Sequence, residues 1–366
     1  MTTPAPTPPE PLPPPARDVA LDGAKGALIF LVVLGHTFQF AVLGRHGDPL
    51  VDGLFTAIYS FHMPAFMALA GWLAQPGLSR RDGRGRLALR RCLSYLIPIL
   101  TVTLLTELFW SVQWPAAGLR KSLSDLFWHG LTTLWFCWAM AYGTVILFIA
   151  ESLRLRLLLA AVLLGAFMLL PAHGHWQLCQ SVLPFYVLGY LASAYRGVLQ
   201  GWRRWLPYVG LAAGVGAVVV VLGFWSREAY VYITGIKWAG PDAHWTLLRY
   251  GVGALGCLAF FGLWPWLFSR MPARLAQGLV GWGASSMRTY VLQTLLFNGT
   301  TWAGLTLLML GQAAALKWAV ALALAFGIQV LCTLAGQGLA QSPVVAGLLF
   351  GTLKAPAGGR RSAGGL

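Results

Sequence analysis

Four ionisable residues mark the beginning and end of the first apolar run of the chain: Asp18, Asp22, Lys25 and His36. Read as a helix with 3.6 residues per turn, their offsets of 4, 7 and 18 residues from Asp18 put them on one face. Lys25 and His36 are 11 residues apart, about three turns, which stacks them roughly 16 Å apart along that face. In a membrane span the lysine would lie near one surface and the histidine near mid-bilayer. A charge at that depth costs at least ~2.5–3.5 kcal/mol, so such groups face a protein interior or a wet cavity. An imidazole, with an ordinary pKa near 6.5, can take or give a proton near neutral pH. His36 is therefore the first candidate for acid–base chemistry.

Further candidates follow along the chain. His62 lies two residues before Pro64 in the second apolar run. A proline mid-span kinks the helix and frees a backbone carbonyl. A lone histidine there needs to do no more than bond a carbonyl, but two histidines at similar depth point to a site. Glu107 sits inside the third run, where a carboxylate is either protonated or paired. It can orient a histidine or bond a hydroxyl such as Thr103. Arg80, Arg81, Arg84, Arg86, Arg90 and Arg91 form the densest basic stretch. Topology alone accounts for it; the functional alternative is a phosphate site, since arginine grips phosphate through two N–H groups. There is no P-loop and no GxGxxG turn after a strand, so no standard nucleotide fold is present. Leu134–Trp138 and Ser285–Gln293 open two later spans; alone, each reads as packing or interfacial anchoring.

The elements that must position these residues are membrane helices. Of 366 residues 57% are hydrophobic and only 10% charged, and the mean hydropathy is +0.67. Soluble domains carry about 25% charged residues, so this is an all-α integral membrane protein, and one domain accounts for the length. Runs of spanning length fall near 24–43, 54–74, 93–112, 131–150, 155–171, 181–195, 206–225, 247–268, 287–310 and 316–340. Ten spans put both termini on one side, and that side then holds 19 of the 26 lysines and arginines. The positive-inside rule makes it the cytoplasm. The same rule accounts for the net charge of +15, and no basic stretch is interleaved with aromatics, so nucleic acid is not an expected partner. Residues 1–16 read as a disordered proline-rich cytoplasmic tail, 17–342 as the membrane domain and 343–366 as a flexible basic tail. The loops 113–130 and 226–246 are rich in aromatics, among them Trp114, Trp128, Tyr230, Tyr232, Trp238 and Trp245. They read as an aromatic belt at the headgroups or as a surface on which sugars stack. Five scattered cysteines with no CxxC pair form neither a disulfide framework nor a zinc site.

Several of these stretches resemble the membrane-bound acyltransferase 3 family. Asp22-x-x-Lys25-Gly26 with Leu31-Val-Val-Leu-Gly35-His36 resembles its first helix, including the signature of a basic residue, a ten-residue spacer and a histidine. Phe61-His62-Met63-Pro64-x-Phe66 with Ala70-Gly71 resembles its second helix, and Arg90-Arg91 with Pro98 the basic start of its third. Leu134-Trp135-Phe136, Pro184-Phe185-x-x-x-Gly189-Tyr190 and Ser286-Met287-x-x-Tyr290 also match. The resemblance covers most of residues 17–300 and is nearest to the fucose 4-O-acetylase-like and exopolysaccharide O-acetyltransferases. It implies transfer of an acetyl group from cytoplasmic acetyl-CoA to a sugar hydroxyl of a surface glycan or its lipid-linked unit. It also implies a bacterial inner-membrane location, with polysaccharide assembly proteins as potential neighbours and no metal. On this reading His36, His62 and Glu107 are the catalytic candidates, while Lys25, Asp22, Arg90 and Arg91 would bind the coenzyme. Two departures stand out: lysine replaces the usual arginine at position 25, and Gln293 stands where the family often has a histidine. The rival readings are a secondary transporter of an acidic metabolite or lipid-linked sugar and a non-catalytic subunit of a polysaccharide assembly.

Overall fold

The computed structural model describes residues 18–44, 47–113, 119–153, 156–171, 174–302, 307, 309 and 311–353. Among them there is no strand. The helices in order are α1 (Val19–His36), α2 (Gly53–Leu78), α3 (Arg84–Gln113), α4 (Leu119–Thr132), α5 (Trp135–Ser152), α6 (Arg156–Met168), α7 (His175–Ala194), α8 (Arg196–Gly201), α9 (Leu206–Phe224), α10 (Val231–Thr234), α11 (Ala243–Arg270), α12 (Ala273–Ala284), α13 (Ser286–Trp302), α14 (Ala314–Leu339) and α15 (Pro343–Phe350).

Among the described residues seven segments are long and apolar enough to cross a membrane: Val19–Leu43, Gly53–Leu78, Arg84–Phe109, Trp135–Ser152, Leu206–Phe224, Ala243–Arg270 and Ala314–Leu339. The protein is thus a multi-pass membrane protein. The other three expected spans coincide with α6, α7 and α13, which are shorter or more polar. The outer helices show what solvent they are built for: on α9, Leu222, Val218, Val219 and Phe224 are all exposed. In water such a face would be an aggregation surface; in hydrocarbon it is simply solvated.

Three elements depart from the expected layout. α4 and α12 are amphipathic helices between spans, too polar or too short to register as apolar runs. Residues 343–350, expected to belong to a flexible tail, form α15 instead. Its boundaries are locally encoded: the Ser342 hydroxyl accepts from Val345 N, Pro343 occupies the first turn, and Gly351 closes the helix with a left-handed φ of +62°. α15 packs on α3. The tail residues 1–17 and 354–366 lie outside the described residues, as do Trp114 and the side chains of Arg120 and Lys121.

The centre of the bundle is α2, which packs against α7, α11 and α1. Lipid offers apolar helices no hydrophobic reason to associate, so close backbone approach through small residues has to supply the contact. At the α2–α7 crossing a Cβ on Gly71 would stand 1.9 Å from the Tyr186 carbonyl oxygen, and one on Gly189 1.8 Å from that of Ala68. Tyr186 is fully buried beside this crossing, where its hydroxyl meets Thr144 Oγ1 at 3.1 Å. Gly71→Leu or Gly189→Leu should force the two helices apart and destabilise the protein by at least about 3 kcal/mol, the upper part of the usual overpacking range. Gly278→Ala, where the added Cβ meets nothing within 4 Å, should leave it unchanged. Thermal unfolding of the detergent-purified variants checks both.

Candidate functional site

α1 begins with a carboxylate cap: Asp18 Oδ1 accepts from Ala20 N at 3.0 Å and Leu21 N at 3.2 Å. One turn on, Lys25 Nζ meets Asp22 Oδ1 at 2.7 Å in an (i, i+3) ion pair. The helix then runs unbroken to His36, so the axial separation of Lys25 and His36 is about 16 Å, as the spacing predicts. At His36 the helical register changes. Thr37–Leu43 forms a π-helical turn, a widening often found at functional sites. Two of the carbonyls at its end, Ala41 and Val42, accept from Leu307 N and Met309 N at 2.8 and 3.0 Å. The distorted end of the span is thus held by backbone from before α14.

Gly35 explains how His36 reaches α2. A Cβ there would stand 2.5 Å from the Tyr59 ring, so only glycine lets the Tyr59 ring come this close to α1. Tyr59 stacks on Phe55 at 3.8 Å between centroids and lies 4.8 Å from the His62 ring. The two histidines thereby line one cavity of about 100 Å³. Its wall also includes Trp135, Tyr290, Arg249 and, from the loop after α9, Trp225, Tyr230 and Tyr232. Trp135 is set there by Leu134, the only described non-glycine residue with a left-handed φ, +48°. Such a conformation costs of order 1–3 kcal/mol and clusters at functional sites.

Both imidazoles are tied by one nitrogen. His36 Nδ1 donates to the side-chain carbonyl oxygen of Gln293 on α13 at 3.2 Å. His62 Nδ1 donates to the Ile58 carbonyl at 2.7 Å, one turn back on its own helix. In the neutral rings this leaves each Nε2 as the lone-pair nitrogen, the arrangement of a general base held by a partner on its far side. Pro64 has no N–H for the Ser60 carbonyl, which loosens the helix beside His62.

The remaining candidates are distributed differently. Arg91 Nη2 donates to the Leu73 carbonyl at the end of α2, at 3.1 Å, and Arg90 precedes it on α3. Since α1, α2 and α3 cross in turn, these arginines fall at the same end of the bundle as Lys25 and Asp22, away from His36. Glu107 is not brought to the cavity. It pairs with His129 of α4, because α3 carries it away from α1 and onto the amphipathic helix. The alternative partner is already engaged: Thr103 Oγ1 donates to its own Ile99 carbonyl at 2.7 Å. Of the aromatic loop residues, Tyr230 and Tyr232 line the cavity, Trp238 stacks on Tyr250 at 5.8 Å, and Trp128 is exposed. Among the described residues no group of three His, Cys, Asp or Glu side chains could hold a metal ion. Sequence reasoning missed two members: Gln293 as the partner of His36, and Arg249, whose signal was an arginine seven residues into an apolar helix.

The sequence matches a family described as an acyltransferase domain over residues 18–336. It is 29% identical to the nodulation protein NolL of Mesorhizobium japonicum over 297 residues, 77% of this chain and 77% of that protein. It is also 29% identical to the nodulation protein NolL of Sinorhizobium fredii over 318 residues, 81% of this chain and 84% of the relative. No solved structure matches. Gln293→Leu removes the acceptor of the His36 N–H without emptying the space. It should lower turnover by about 10- to 100-fold with folding intact, a part of what a positioned base contributes; Gln293→His should restore part of the loss. Single-turnover rates on purified protein check this.

Proposed function

The chain belongs to the acyltransferase 3 family, and on that premise we propose that it carries an acetyl group from cytoplasmic acetyl-CoA to a sugar hydroxyl of a surface glycan or exopolysaccharide, or of its lipid-linked repeat unit. As a member of that family it is an acyltransferase; donor, acceptor and membrane are the proposal. The membrane is the bacterial inner membrane, and ten spans with cytoplasmic termini agree with the charge distribution.

The observation that carries the reading is His36 fixed through Nδ1 by Gln293 at the wall of a cavity it shares with His62. His36 Nε2 accepts the hydroxyl proton as the sugar oxygen attacks the thioester carbonyl. A C–O bond forms, the C–S bond breaks, and the proton passes from His36 to the departing thiolate. A transient acyl-histidine is the alternative course for the same residue. His62 is the second basic group at the cavity. Lys25, steadied by Asp22, and the Arg90–Arg91 pair would hold the coenzyme phosphates at the far end of α1. The extended pantetheine arm of the donor suits the separation between Lys25 and His36. Glu107, spent on His129, has no step in this scheme.

His36→Ala should reduce acetyl transfer at least about 100-fold at normal protein level. Measuring glycan O-acetyl content in cells with the gene intact, deleted and carrying His36→Ala tests this; esters lost on deletion but kept in His36→Ala would remove His36 from the reaction. Lys25→Ala should raise the KM for acetyl-CoA about tenfold, and Lys25→Arg, which keeps the charge and adds a phosphate-gripping fork, should restore it. Steady-state kinetics with varied acetyl-CoA separate the two.

A further inference from the structure

We propose that Arg249 binds an anionic group of the acceptor, a carboxylate or a phosphate, inside the cavity of His36 and His62. The inference rests on the acyl-transfer reading and adds the charge of the molecule that enters.

Among the described residues, the cavity contains a cation without a counter-charge. Arg249 lies near the start of α11 and lines the cavity. Its Nη2 donates to Thr234 Oγ1 at 2.9 Å and its Nε to the Trp245 carbonyl at 3.3 Å. Its Nη1 is buried and has no hydrogen-bond partner among the described residues. Among the described residues no aspartate or glutamate lines the cavity; its other ionisable groups are His36, His62 and tyrosines. The acidic residues of the neighbouring loops are engaged elsewhere, Asp48 with Arg227, Asp242 with Lys237 and Glu228 with the Ser226 hydroxyl.

A structural role accounts for only part of this. The bond to Thr234 fastens α10 to α11, and a neutral amide could make it. It gives no reason for a permanent charge in a largely apolar wall, which is costly unless a partner compensates it. A ligand oxyanion is such a partner, and a guanidinium takes one through parallel N–H bonds. Its position assigns the anion to the acceptor. Arg249 adjoins the loop that brings Tyr230 and Tyr232 to the cavity, whereas Lys25, Arg90 and Arg91 lie at the other end of α1 and α3. An acidic sugar and the phosphate of a lipid carrier share the required chemistry.

Binding to detergent-purified full-length protein without any acyl donor tests the proposal. The probes are methyl glucuronide, inorganic diphosphate and neutral methyl glucoside, measured by calorimetry on wild type, Arg249→Gln and Thr234→Ala. One anionic probe should bind wild type and bind Arg249→Gln at least about tenfold more weakly. Thr234→Ala, which loses the bond to α10 and keeps the charge, should bind it as wild type does. A glucuronide response places the charge on the sugar; a diphosphate response places it on the carrier. If Arg249→Gln does not purify as a folded protein, Arg249→Lys replaces it, with about threefold weaker binding expected from loss of the fork. Anion binding that is absent in wild type, unaffected by the Arg249 substitutions, or lost equally in Thr234→Ala overturns the proposal. Because no donor is present, such a failure leaves acetyl transfer untouched, and a failure of acetyl transfer leaves the binding result standing.

Discussion

The site depends on one hydrogen bond, from His36 Nδ1 to Gln293. An imidazole free to turn presents either nitrogen to its surroundings, and in neutral form only one of them is a base. The bond fixes which one. It also joins the first span to α13, residues 257 positions apart in sequence, so the orientation of His36 depends on nearly the whole domain having assembled. His62 is held differently, by the Ile58 carbonyl of its own helix, and that tether forms with α2 alone. The two histidines share a cavity, yet one is fixed by local structure and the other by tertiary structure.

That dependence makes the packing of the middle helices a functional matter. α2 is pressed between α1, α7 and α11, and its contacts with the first two rely on positions with no side chain. Gly35 admits the Tyr59 ring, and Gly71 with Gly189 lets two backbones touch. In lipid there is little else to drive helices together, so dispersion across these close crossings carries the load. Tyr59 is the visible consequence: stacked on Phe55, against α1 and close to His62, it converts a helix crossing into one wall of the cavity.

What was legible in the sequence was local. The spacing of Asp18, Asp22, Lys25 and His36 on one helical face could be read directly because an α-helix imposes its own geometry, and the structure keeps α1 intact from Val19 to His36. Seven long apolar segments were equally plain. The helices between spans were not: α4 and α12 show amphipathic rather than continuous apolar patterns, and α15 is defined by its caps rather than by length. The π-helical turn after His36 has no sequence signature, since it follows from tertiary bonds such as those from Leu307 and Met309. Glu107 was recognisable as a carboxylate in need of a partner, and it has one, but which histidine it meets depends on where α4 folds. Gln293 and Arg249 lie far along the chain from His36, and no periodicity joins residues across such distances.

On the proposed function, the arrangement along α1 gives the reaction a direction. One end of the helix carries the Asp22–Lys25 pair, and the other carries His36 and opens into a cavity walled by Trp135 and the aromatic loop after α9. A donor held by its phosphates at the first end and an acceptor admitted at the second need meet only where a proton must be moved. Placing His36, the proposed base, at the last α-helical residue, just before the register widens, puts it at the border between the tightly packed first span and the looser cavity. A base deeper in α1 would be enclosed by side chains and out of reach of a sugar. One beyond the π turn would lose the rigid helix that sets its distance from Lys25. In that proposal the same helix both measures the separation between the two binding ends and delivers the group that acts between them.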